Sequence, residues 1–147
     1  MSITRWLLVL LPGVLLAQGE DDAQLAAKAE ALPPQIETVA SGGYWSRSGQ
    51  DGSFRLVIVS VGWDQLASRA FLQWIRLDHD KQAEVIERTI PIKEIAGGWR
   101  VVSQKFMLRG KQWDIIVSAE RRVPEAKATF TITPTADFSY AIATSKK

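Results

Sequence analysis

Asp78-His79-Asp80 is the one stretch of this chain where an imidazole stands beside carboxylates, and His79 is its only histidine. Neutral imidazole with carboxylate oxygen is good zinc chemistry, and a histidine oriented by acids is the usual general base of hydrolytic sites. The surroundings argue for neither. Consecutive residues on a turn point in different directions, and Asp favours turns because its side chain bonds nearby backbone. A serine nucleophile would depend on His79 alone, and no G-x-S-x-G elbow is present. No G-x-x-x-x-G-K-[ST] loop and no G-x-G-x-x-G fingerprint occurs either. Asp51-Gly52 sits in a glycine-rich turn but offers a single carboxylate, where Ca²⁺ asks for about six oxygens. With no cysteine there is no thiol nucleophile and no thiolate metal site. The reading is of a protein that is not an enzyme and has no cofactor or metal. A hydrolase using His79 is the outlying alternative.

Tryptophan is the more informative residue, six in all. Trp74 and Trp113 fall mid-strand in step with Leu72 and Ile115, and are assigned to the core, where a large ring removes much apolar area from water. Trp45, Trp63 and Trp99 each lie beside a glycine-containing boundary: Gly43-Tyr44-Trp45, Gly62-Trp63-Asp64 and Gly97-Gly98-Trp99. That places them near sheet ends, where two roles stay open. They close the ends of the core against the loops, or they form an exposed binding surface, since exposed rings stack on sugars and anchor protein partners.

The elements that position these residues are strands. Phe54 to Asp78 sets the pattern: two long runs rich in Val, Ile, Leu and aromatics, joined by a short polar connection. Phe54–Val61 is apolar on both alternating faces, as suits a central strand buried on two sides. Further strands are expected at Tyr44–Ser46, Arg69–Leu77, Val85–Ile95, Val102–Leu108, Trp113–Ala119, Lys127–Thr133 and Phe138–Ile142. Pro91 cannot donate to a ladder and marks an edge or a bulge. About eight strands at spacings near 8–12 residues, with no long helical period between them, indicate an all-β antiparallel β-sandwich over residues 41–147. An immunoglobulin-like order is one option within that class.

Upstream, residues 1–17 carry Arg5 and an apolar run from Trp6 to Ala17. The run is shorter than the roughly 20 residues of a membrane span and ends at a small residue, which reads as a signal peptide cut near Ala17–Gln18. Residues 18–40 are acidic and Ala-rich, a tail or short helix that Asp21-Asp22 would start and Pro33-Pro34 would stop.

Composition bounds the partners. Hydrophobic residues make up 46% of the 147 and charged residues 23%, the balance of a packed soluble domain. The formal charge of +2 is no footprint for nucleic acid. Lys105, Arg109 and Lys111, and again Arg121, Arg122 and Lys127, lie near strand ends and read as a solvated rim. A signal peptide before a short Trp-rich β domain without cysteine is similar to the layout of many small exported proteins of Gram-negative bacteria. The expectation is a periplasmic or secreted, non-enzymatic accessory or protein-interaction domain of the bacterial envelope, with no stable membrane anchor after cleavage. Its partner would be a protein or, as the alternative, a polysaccharide held by Trp45, Trp63 and Trp99.

Overall fold

A computed structural model describes residues 22–63 and 66–146. The signal peptide expected over residues 1–17 lies outside them. The chain divides into two units at the Leu32–Pro33 junction. The first contains α1 (Asp22–Glu30), with Asp22 in the first turn, where a carboxylate complements the helix dipole. Leu25 and Leu32 are exposed, and no residue of α1 is buried.

The second unit is all-β. Its strands are β1 (Ile36–Arg47), β2 (Gln50–Val61), β3 (Ala67–Asp78), β4 (Ala83–Pro91), β5 (Arg100–Arg109), β6 (Gln112–Arg122), β7 (Glu125–Pro134) and β8 (Tyr140–Lys146). They form two antiparallel sheets of four, ordered β1-β2-β3-β4 and β5-β6-β7-β8. Each sheet is a meander in chain order, which is not the immunoglobulin order, where strands from distant parts of the chain are interleaved.

Both sheets turn their apolar face into one core. Phe54, Leu56 and Ile58 of β2 and Leu72 and Trp74 of β3 meet Ile115 and Val117 of β6 and Phe130 and Ile132 of β7. Period-two alternation produces this face directly, since residues i, i+2 and i+4 of a strand share one side. Polar ties splice the sheets. Ser68 is fully buried; its N–H donates to the Trp99 carbonyl at 2.7 Å and its Oγ accepts from the Val101 N–H at 3.0 Å. At the opposite end Trp74 Nε1 donates to the Thr135 carbonyl in the β7–β8 loop at 2.8 Å. The same loop sends Phe138 between Trp45 and Trp74, edge to face at 6.0 and 5.8 Å. Phe138 holds a φ of 64°, a left-handed conformation uncommon for a bulky residue. Thr135 and Ser139 steady the loop by donating to the Asp137 carboxylate, and those two hydroxyls, Thr135 first, hold it below the usual carboxylate range. Tyr140 hydroxyl donates to Glu94 Oε2 at 2.8 Å. Burial, then that carboxylate, raises its phenol above the ordinary value.

Four departures from the sequence reading have physical causes. The first strand begins at Ile36 rather than Tyr44, inside the stretch that reads as a tail, with Ala40 opposite Leu56 and Gly42 opposite Phe54. The small residues that follow are what the packing requires: a Cβ on Gly42 would stand 2.6 Å from Phe106 Cγ of the other sheet. The fourth strand stops at Pro91, and a 3₁₀ turn over Lys93–Ile95 tucks Ile92 and Ile95 into the core. A register shift between Val101 and Ser103 turns Val102 out to solvent and leaves Val101 packed on the core. β2 is central, yet it is deeply buried on one face only; Val57, Val59 and Val61 on the other are half-buried.

Candidate binding groove at the Trp63 end

The residues singled out for chemistry part company in the structure. His79 occupies the β3–β4 turn with its ring largely in solvent and Nε2 3.3 Å from Asp51 Oδ1. Its neighbour Asp78 is engaged elsewhere: Oδ1 accepts from the Lys81 N–H at 3.1 Å, and that bond leads the causes holding its carboxyl below the usual range. Among the described residues no group of three or more His, Asp or Glu side chains stands close enough to share a metal ion.

Trp45, Trp63 and Trp99 do not form a common surface. Trp45 is 3% exposed; its Nε1 donates to the Ser53 carbonyl at 3.1 Å and its ring packs on Phe138. Trp99 is 5% exposed, edge-on to Phe130 at 5.6 Å. These two rings close opposite ends of the core. Trp45 lies opposite Gly52 near the start of β2, whereas the Trp99 carbonyl is bonded at Ser68, beside the end of β2. Trp63 is 98% exposed. It follows Gly62, whose φ of 95° turns the chain off β2 and leaves the next side chain without a cross-strand neighbour to cover it.

Around Trp63 the structure builds a groove of about 260 Å³. Its apolar wall is Trp63, Leu66 and, from the β6–β7 turn, Val123, which is 74% exposed. Its polar wall is Arg100, Arg121 and Arg122, with Glu120 beside them. Strand geometry places these groups. Arg100 pairs with Glu120 across β5 and β6, and Arg122 with Glu125 across the β6–β7 turn, so both cations stand at the same sheet end as Trp99. Arg121 is held firmly: its guanidinium lies 4.8 Å from the centroid of the Trp99 ring, a cation–π contact, and Nε donates to the Pro124 carbonyl at 3.3 Å. Arg100 has Glu120 at 3.9 Å, a loose surface pair worth little. Arg122 is exposed and has no ion-pair partner among the described residues. Asp64 and Gln65, between Trp63 and Leu66, are outside the described residues.

The charge of the β unit is divided along its strands. Among the described residues at the Trp63 end, Arg69, Lys127 and Lys146 join the three arginines, against Glu37, Glu120 and Glu125. At the hairpin end, Asp51, Asp78, Asp80, Glu84 and Asp137 stand against Arg47, Arg76, Lys81 and Lys111, and the Asp114–Arg109 pair adds no net charge. Asp114 is nonetheless notable there: 1% exposed on the outer face of β6, it accepts from Thr133 Oγ1 at 2.6 Å. Arg109 lies 2.9 Å from its second oxygen, as an ion pair lacking the alignment of a hydrogen bond.

Sequence reasoning reached Trp63 but not its companions. Arg121 and Arg122 read as rim charges, and nothing in Leu66 or Val123 taken singly marks a site. The usable signal was joint: apolar residues and arginines in several separate turns that an antiparallel meander brings to one end. Comparison of the chain with protein-family models, with curated proteins and with solved structures finds no match in any of the three. The groove combines exposed apolar tips, one arginine held against Trp99, two looser arginines and an open mouth.

Proposed function

We propose that this chain is a non-enzymatic, exported accessory domain of the bacterial envelope. In this reading its two sheets stack as a β-sandwich and the Trp63 groove is the surface it presents to its partner. The observation that carries the reading is the exposure of Trp63 beside Leu66 and Val123. A large ring left in water is an unfavourable use of apolar area, and clustered exposed apolar side chains rimmed by polar ones mark interaction sites. Tryptophan with arginine is also the composition of binding hot spots. The polysaccharide alternative called for several rings on one face; with Trp45 and Trp99 in the core, Trp63 alone is left to stack on a sugar. The hydrolase alternative would rest on His79, whose bonded neighbour is Asp51 in an open turn.

Site-directed photocrosslinking in growing cells tests the reading. A benzophenone side chain placed at Trp63 or Val123 is expected to give discrete adducts, and one placed at His79, at the other end, is not. Equal yields from the two ends would remove the groove as the contact surface, as would the absence of any adduct, to protein or to lipid, from both groove positions.

A further inference from the structure

We infer that the Trp63 groove rests on an anionic phospholipid surface, with Trp63, Leu66 and Val123 entering the headgroup layer and Arg100, Arg121 and Arg122 facing the phosphates. The inference depends on the reading above, that this groove is the contact surface, and adds what lies against it. Three observations favour a bilayer over a protein. The apolar side chains are few and project from two separate loops, the form of a tip that dips into an interface and not of a broad patch that buries against another fold. Tryptophan is enriched at the headgroup level, where its ring sits in the apolar boundary and its N–H stays wet, and arginine beside it reaches phosphate oxygens. The charge division along the strands turns the cationic end toward an anionic surface and the carboxylate-rich hairpin end away from it, an orienting torque that a lone basic residue would not give.

The chain enters the β unit at this same end: Ile36 lies opposite Val59, and the Gln35 carbonyl accepts from the Ser60 N–H at 2.7 Å, a few residues from Trp63. The contact is peripheral and reversible. Three apolar tips bury too little to span or to anchor, and attraction between arginines and phosphates is screened by salt.

The test uses the full chain with vesicles of phosphatidylglycerol or of phosphatidylcholine, the former also prepared with brominated acyl chains. Subtracting the emission of Trp63→Phe from that of wild type isolates Trp63 from the other five tryptophans, Trp6 included. On phosphatidylglycerol the Trp63 component is expected to shift to the blue and to be quenched by the bromines. On phosphatidylcholine, or in high salt, the shift is expected to shrink severalfold. Arg122→Glu changes two unit charges at the surface and is expected to weaken the anionic-vesicle response roughly thirtyfold. A Trp63 component that stays unmoved on phosphatidylglycerol, even while the chain sediments with the vesicles, overturns the inference. So does a response to free glycerol phosphate equal to that on vesicles, which would make the groove a small-anion site. Photocrosslinks from position 63 to a protein, with no vesicle response, would leave the groove reading standing and sink the membrane; failure of both assays would sink both.

Discussion

Trp74→Ala is expected to cost about 3–5 kcal/mol, the range for emptying a buried tryptophan site. That is a large part of the roughly 5–15 kcal/mol that holds a domain folded. Trp74 is fully buried, and its ring meets Phe54 and Phe138 edge to face at 6.1 and 5.8 Å. Removing it leaves a void at the point where the β7–β8 loop seats against β3. It also strips the Thr135 carbonyl of its donor, which adds the penalty of an unsatisfied polar group. Urea unfolding checks this, with Trp74→Phe as the companion: that variant keeps a ring but loses the N–H, and is expected to lie between wild type and alanine. Equal midpoints for all three would mean that Trp74 does not bind the loop to the sheet.

Gly52→Ala is expected to be comparably severe although it adds one methyl group. A Cβ at Gly52 would stand 1.8 Å from the Ile75 carbonyl oxygen and 2.8 Å from its carbon, and those are backbone atoms of the adjacent β3, not the end of a side chain that swings aside. Gly52 pairs with Arg76 in the β2–β3 ladder and with Trp45 in the β1–β2 ladder. The methyl therefore forces two ladders apart together, against the close packing that makes even small overfilling cost about 1–3 kcal/mol, and more where backbone has to move. Circular dichroism and urea titration of Gly52→Ala beside Gly49→Ala separate this clash from loss of glycine itself. Gly49 has a φ of 77° and nothing near its Cβ, so its variant carries conformational strain alone and is expected to lose less.

These two positions also show how far the sequence was legible. Eight strands could be read because alternating apolar positions and Gly or Pro boundaries state them locally, and Trp74 could be assigned to the core from its phase with Leu72. Gly52 read only as a turn residue, because the carbonyl that forbids a side chain there lies in another strand. The first half of β1 was hidden for a related reason. Gly42 and Gly43 look like linker, yet they are small because Phe106 and Trp113 of the other sheet press against them. Val102 shares the alternating phase of Gln104 and Phe106, yet it is exposed because one extra residue in β5 reverses the phase at that point, and a bulge has no reliable local signature.

The groove was the least legible part. Trp45, Trp63 and Trp99 have the same glycine-flanked setting in the chain, and what separates them is tertiary. Phe138 arrives over Trp45, and Phe130 and Arg121 arrive over Trp99. Trp63 lies past the last ladder position of β2, Val61, beyond the reach of any strand pair. Exposure of one tryptophan in three thus follows from where other segments end.

The central claim is that Trp63 stands open to solvent within a cationic rim, and collisional quenching of its fluorescence by ions of opposite sign addresses it most directly. In the difference between wild type and Trp63→Phe, iodide is expected to quench strongly and caesium weakly, because Arg100, Arg121 and Arg122 concentrate the anion and repel the cation. Equal quenching by the two ions would contradict the cationic rim, and a Trp63 component that neither ion reaches would contradict the open groove on which the function is built.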